Sequence, residues 1–238
     1  MTPELVLLDA LPPGPLLSAA AAARAAALPS EVRRRAWTLA RAAGKLAVEG
    51  LLAREGRSAP PRPTIELPTA ASGAPQVRGV PGEVALSLTH GHGAAGAYAL
   101  RPGAAGGLPG VDLERARPRP DASLDLFLHP NEASRIRAEA PGEGGVGPRD
   151  RLAVLAWALK EAGFKALHLP PGLGLLQVEL ELPAAWSAAT GAARLGYRGE
   201  AAAQHRRLGG GPVAAGWRWL DDARVLAWVT VAGATLPR

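Results

Sequence analysis

With 238 residues, 47% of them hydrophobic, the chain can bury one large core or two small ones and is too apolar for a disordered segment. It contains no cysteine, which excludes a disulfide framework and any thiolate metal site. Its net charge of +6 asks for an anionic partner, and nucleic acid, a polyphosphate cofactor or an acidic protein would each answer that. Met1 to Leu11 carries Glu4 and Asp9 and no basic residue, so it does not read as a secretory signal. The longest alanine run is broken by Arg24 and is too short for a membrane span. The expectation is a cytoplasmic protein with no membrane contact.

In chain order, Leu5–Leu8 reads as a strand and the alanine-rich stretch ending at Leu28 as a helix. Ser30 is placed to cap a longer helix from Glu31 to Arg54, closed by Gly56. Its expected apolar face is Val32, Ala36, Trp37, Ala40, Leu46 and Leu51, with Arg33, Arg34, Arg41 and Lys45 on the others. Gly56 to Pro75 reads as an irregular surface connection. Strands follow at Val84–Thr89 and Ala94–Leu100 around a turn holding His90 and His92. The glycine- and proline-rich stretch Arg101–Pro109 marks a lobe boundary, giving lobes of residues 1–108 and 109–238.

The second half opens on a strand at Gly110–Glu114, then the loop Arg115–Pro120 and a helical patch at Asn131–Ala140. The loop Pro141–Pro148 leads to the strongest helix, Arg149 to Leu167, where Leu152, Leu155, Ala156, Leu159 and Phe164 keep helical spacing. Strands are expected at Leu175–Leu182, Gly216–Leu220 and Val225–Val231, the last two joined by a turn at Asp221–Asp222. The fold class is therefore α+β: two pseudo-symmetric lobes, each a small, mainly antiparallel sheet of about three strands against a long helix.

Two motifs carry chemistry. In Gly110-Val111-Asp112-Leu113-Glu114, residues two apart share a face, so Asp112 and Glu114 present paired carboxylates while Val111 and Leu113 turn to the core. Paired carboxylates are ligands for a hard cation such as Mg²⁺, though on its own the triplet also describes a solvated strand end. In Trp157-Ala158-Leu159-Lys160-Glu161-Ala162-Gly163-Phe164-Lys165, Glu161 and Lys165 stand one helical turn apart. Lys160 faces elsewhere and reads as a solvated lysine, and Trp157 as core. Gly163 weakens the helix by about 1 kcal/mol relative to alanine, which points to close packing or a functional approach there.

G-V-D-L-E followed at this distance by W-x-x-K-E-x-x-x-K resembles the joint signature of the 4′-phosphopantetheinyl transferase superfamily. Ser87-Leu88-Thr89-His90 matches the serine–histidine strand end of its larger members. The basic helix with Arg41 and Gly44-Lys45 resembles their N-terminal helix, and Phe127 to Glu132 resembles the segment ending in glutamate before their second helix. The length and the two lobes are similar to the large monomeric, surfactin-synthetase-activating class. The resemblance implies transfer of phosphopantetheine from coenzyme A to a serine of an apo acyl or peptidyl carrier protein, with release of 3′,5′-ADP. It implies Mg²⁺, with Mn²⁺ as the other option, on Asp112, Glu114 and Glu161. Glu161, or a metal-bound water beside it, takes the serine proton in that family. Lys165 and His90 are then expected on phosphates, and Arg41 and Lys45 at the 3′-phosphate and adenine end. The sequence departs from the family pattern at Ala158, Thr89 and Lys45, where relatives commonly have a hydroxyl or thiol residue, serine and arginine.

Three other readings stand beside this one. A basic nucleic-acid-binding module would need aromatics grouped with the basic residues or a recognisable binding signature; beside six tryptophans the chain has two tyrosines and two phenylalanines, and no such signature appears. A non-catalytic relative that binds coenzyme A or a carrier protein is at odds with the intact Asp112, Glu114, Glu161 and Lys165. An unrelated phosphotransferase lacks its phosphate-binding glycine-rich loop.

Overall fold

The computed structural model describes residues 4–70, 72–103, 106–142, 145–170 and 172–236. Parts of three expected loops, at 71, 104–105 and 143–144, lie outside the described residues. Strand β1 (Glu4–Leu8), helix α1 (Ala19–Ala26), helix α2 (Glu31–Arg54) and strands β2 (Ala85–Gly91) and β3 (Ala94–Leu100) come first. Strand β4 (Gly107–Arg115) and helices α3 (Pro130–Arg137) and α4 (Pro148–Ala166) follow. The chain closes with β5 (Val178–Glu181), β6 (Thr190–Tyr197), α5 (Gly199–Arg207), β7 (Val213–Trp219) and β8 (Arg224–Ala232).

Helix α2 starts as the sequence dictates: the Ser30 side chain accepts from the Arg33 N–H at 3.3 Å, and Gly56 beyond the far end has φ 69°. The face it buries is Leu39, Ala40, Ala43, Ala47, Val48, Leu51 and Leu52. Val32, expected on that face, is 78% exposed, because the sheet does not reach the first turn of the helix. The sheet it covers has the order β1-β3-β2, antiparallel throughout. His92 and Gly93 both take positive φ, 54° and 81°, which is the two-residue hairpin turn whose twist suits the flanking strands.

The second sheet, β4-β8-β7-β6-β5, is also antiparallel and packs on α4. It has five strands, the four placed in the sequence plus one more, so it is larger than the sheet of about three strands expected for each lobe. Strand β6 and helix α5 are additions, and residues 175–177 form a 3₁₀ turn ahead of β5 rather than part of the strand.

The two sheets meet through β3. Its odd-numbered alanines, Ala95, Ala97 and Ala99, pack under α2, while Ala94, Tyr98 and Leu100 join Val111, Leu113 and Leu226 of the second sheet. The Tyr98 and Thr230 hydroxyls share a hydrogen bond of 2.5 Å across this junction. Strand β4 uses its free edge in an unusual way. The N–H groups of Val111 and Leu113 donate to the hydroxyls of Ser87 and Thr89 on β2, each at 3.1 Å. Side chains thus stand in for a backbone ladder and fasten one sheet to the other.

Candidate active site

The site lies where β4 passes beneath α4. Gly110 sets the distance: a Cβ there would lie 1.8 Å from the Ala162 carbonyl oxygen, so only glycine lets the strand run this close to the helix. The residue after Ala162, Gly163, lets α4 settle against β5 and β6, since a Cβ would come 2.8 Å from Leu195 and 3.4 Å from Val178. The glycine inside α4 therefore serves close packing.

Two residues on from Gly110, Asp112 faces α4. It is 5% exposed, and its Oδ1 accepts from Lys165 Nζ at 2.6 Å and from the Thr89 hydroxyl at 3.2 Å. Lys165 also donates to the Val111 carbonyl at 3.3 Å. The other carboxylate oxygen, Oδ2, is buried and has no hydrogen-bond partner among the described residues, a costly state for a polar atom. Glu114 sits on the same face, less buried, with His92 Nε2 3.5 Å from its Oε2. Burial pushes the Glu161 carboxyl above the ordinary carboxylate range, Lys165 opposes this, and the charges of Asp112 and Glu114 add to it. Glu161 is thus near enough to feel the charge of both other carboxylates. Among the described residues no three His, Asp or Glu side chains are spaced to hold a metal ion as they stand.

A cavity of about 320 Å³ opens beside these groups. Glu161, Phe164 and Lys165 line one wall, Leu86, Ser87 and Leu88 of β2 another, and residues 72–75 a third. In the sequence, residues 72–75 belong to the irregular surface connection Gly56–Pro75. Nothing in their small, uncharged side chains signals a site, and only the fold brings them here.

The other expected residues are placed as follows. His90 is exposed at the end of β2 and is not among the residues lining this cavity. Arg41 stands over the Trp37 ring, donates to the Thr69 hydroxyl and lines a second cavity of about 430 Å³ with Arg24, Arg78, Lys45 and Glu66. Burial and the nearby Arg24 lower its pKa. Lys45, expected on a polar face, is 2% exposed, and its ammonium donates to the carbonyls of Leu16 and Arg62 at 2.7 and 2.8 Å. It ties α2 to the segments on either side and keeps one donor for another contact.

Lys160 corrects the reading of a solvated side chain. It is 0% exposed and paired with Glu132, 6% exposed, at 2.5 Å. Glu132 also accepts from the backbone N–H of His129 at 2.8 Å and of Leu180 at 2.7 Å. One carboxylate therefore pins α4, the start of α3 and β5 together at the residue before Glu161. Trp157 packs edge-on against Phe127, with Arg119 over the Trp157 ring.

Residues 109–213, from β4 to the start of β7, match the family model of the 4′-phosphopantetheinyl transferase superfamily. No curated protein matches the chain. The matched stretch contains Asp112, Glu114, Lys160, Glu161 and Lys165, together with the Glu132 that pins them. No described helix is long and apolar enough to cross a membrane.

Proposed function

We propose that the chain transfers 4′-phosphopantetheine from coenzyme A to a serine of an apo carrier protein. One observation carries the reading: a buried aspartate with one oxygen held by Lys165 and Thr89 and the other unpartnered, beside a glutamate with a raised pKa. It lies within the stretch that matches the superfamily. We read the two sheets and their helices as the two lobes of a monomer, with the boundary before β4 at Gly107 rather than after residue 108, and with the substrate between them.

In this reaction the serine oxygen bonds to the β-phosphorus of coenzyme A as the bond from that phosphorus to the bridging oxygen breaks. The 3′,5′-ADP leaves with that oxygen's electron pair. Glu161 accepts the serine proton, a task that its raised pKa suits. Lys165 carries positive charge at the phosphates, and holding the reactants in line is most of what a protein contributes to phosphoryl transfer. Asp112, Glu114 and Glu161 would hold a divalent cation once their side chains close in on it: Asp112 Oδ2 has no partner among the described residues, and the charges of Asp112 and Glu114 both act on Glu161. Mg²⁺, or Mn²⁺, held there would neutralise pyrophosphate charge. Arg41, with Arg24 and Arg78 in its cavity and the last donor of Lys45, is suited to the 3′-phosphate. His90 is assigned to a phosphate near the mouth of the site. Thr89 positions Asp112.

The test is mass spectrometry of apo carrier proteins after incubation with the protein, coenzyme A and Mg²⁺. A gain of one phosphopantetheine, absent with EDTA, is the expected result. Coenzyme A binding with no gain on any carrier would favour a non-catalytic binding protein instead.

A further inference from the structure

His168 follows the last residue of the α4 cap, Leu167, and takes φ 51°, the left-handed region that glycine enters freely and side-chain-bearing residues enter at a cost. Its N–H donates to the Lys165 carbonyl at 3.1 Å, closing the helix over the residue that holds Asp112. A glycine would close this turn with less strain, so the turn itself does not explain the ring.

The ring is half-buried and lines the same cavity as Glu161 and Lys165. It also lines an adjoining hollow of about 310 Å³ with Gln76 and Arg78. The cavity it shares with Glu161 and Lys165 has a mixed lining, with Leu86, Phe164, Leu169 and Pro75 apolar and Ser72 and Ser87 bearing hydroxyls. Neither ring nitrogen hydrogen-bonds to a described residue. Burial alone lowers its pKa, so at neutral pH the imidazole is uncharged, with one donor and one acceptor. An uncharged ring is poorly matched to phosphate, which Lys165 already serves. It is well matched to a neutral group that itself donates and accepts.

Resting on the reading above, we infer that His168 is a contact residue for a neutral, amide-like group of coenzyme A. Five residues of helix separate Glu161 from Ala166, about 8 Å along the axis, and His168 lies beyond that end, on the far side of Lys165 from Glu161. Coenzyme A presents such chemistry on both sides of its pyrophosphate, in the amides of the pantetheine arm and in the edge of the adenine base.

The experiment is calorimetric binding of coenzyme A and of 3′,5′-ADP to the full chain and to His168→Gly and His168→Asn, with thermal melting of each. His168→Gly is expected to melt at or above the wild-type temperature while binding coenzyme A about tenfold more weakly, the size of one hydrogen bond. His168→Asn, which tolerates the same backbone and keeps a donor and an acceptor, is expected to recover most of that affinity. An equal loss for 3′,5′-ADP assigns the contact to the adenine edge, and a loss for coenzyme A alone assigns it to the arm. Wild-type affinity for both ligands in His168→Gly overturns the inference while leaving the transferase reading intact. If the wild-type protein binds neither ligand, both the reading and this inference fail.

Discussion

Each long helix buries a lysine, and the two lysines are held in different ways. On α2, Lys45 gives its ammonium to two neutral carbonyls, and the nearby residues of its cavity include Arg24, Arg41 and Arg78. On α4, Lys160 meets a carboxylate, Glu132, that is itself tied to two backbone N–H groups. The first arrangement leaves positive charge in its lobe, where an anion can use it. The second cancels the charge and turns it into a fastening. The two long helices therefore differ in their electrostatics: the surroundings of α2 are suited to holding an anion, and those of α4 to fixing the helix that carries Glu161 and Lys165.

Removing the fastening should have the largest effect. Glu132→Ala leaves a buried ammonium unpaired and strands two backbone donors, so a loss of about 5 kcal/mol or more is expected in urea denaturation. Lys160→Met leaves the carboxylate its two backbone partners and should cost less, about 3 kcal/mol. Equal losses from the two substitutions would show that the backbone N–H groups contribute nothing. Lys45→Met should cost about 1.5–3 kcal/mol for its charge-assisted bonds, and should also weaken binding of 3′,5′-ADP. Unchanged nucleotide binding there would make Lys45 a purely structural residue. Thr89→Val strands the Leu113 N–H and removes a donor to Asp112, at a cost of about 1–3 kcal/mol by the same measurement.

The smallest effect belongs to the β7–β8 turn. Burial raises the Asp221 pKa, but the N–H groups of Ala223 and Arg224 and the Arg224 side chain outweigh it, holding the carboxyl at about 2 instead of 3.8. A depressed carboxylate contributes stability that is present above the unfolded value and lost as pH falls toward the folded one. Asp221→Asn should therefore flatten the stability profile between about pH 4 and pH 2, with less than about 1 kcal/mol of change at neutral pH because the side chain is largely exposed.

Much of this architecture was legible where local chemistry decides the outcome. Ser30 and Gly56 bracket α2, and the alternation of Val111, Asp112, Leu113 and Glu114 places the carboxylates on one face. The missed elements have weak local signals. Strand β6 is built from small residues and is half-exposed along its length, and α5 is short and polar, with Ala201 its buried residue. The buried lysines were unreadable for another reason. Whether a lysine lies in solvent or in the core depends on oxygens that arrive from distant segments, such as Leu16 and Arg62 for Lys45 or Glu132 for Lys160. The same holds for residues 72–75 and His168, whose roles come from which walls the fold brings together.

The central claim is that Glu161, raised in pKa at the junction of β4 and α4, takes the serine proton. The direct test is the rate of phosphopantetheine transfer by Glu161→Gln, measured beside its unfolding midpoint and its affinity for coenzyme A. The expected result is a loss of about 10²–10⁴-fold in rate, with folding intact and coenzyme A still bound. Transfer at the wild-type rate by this variant would contradict the account and place the base elsewhere.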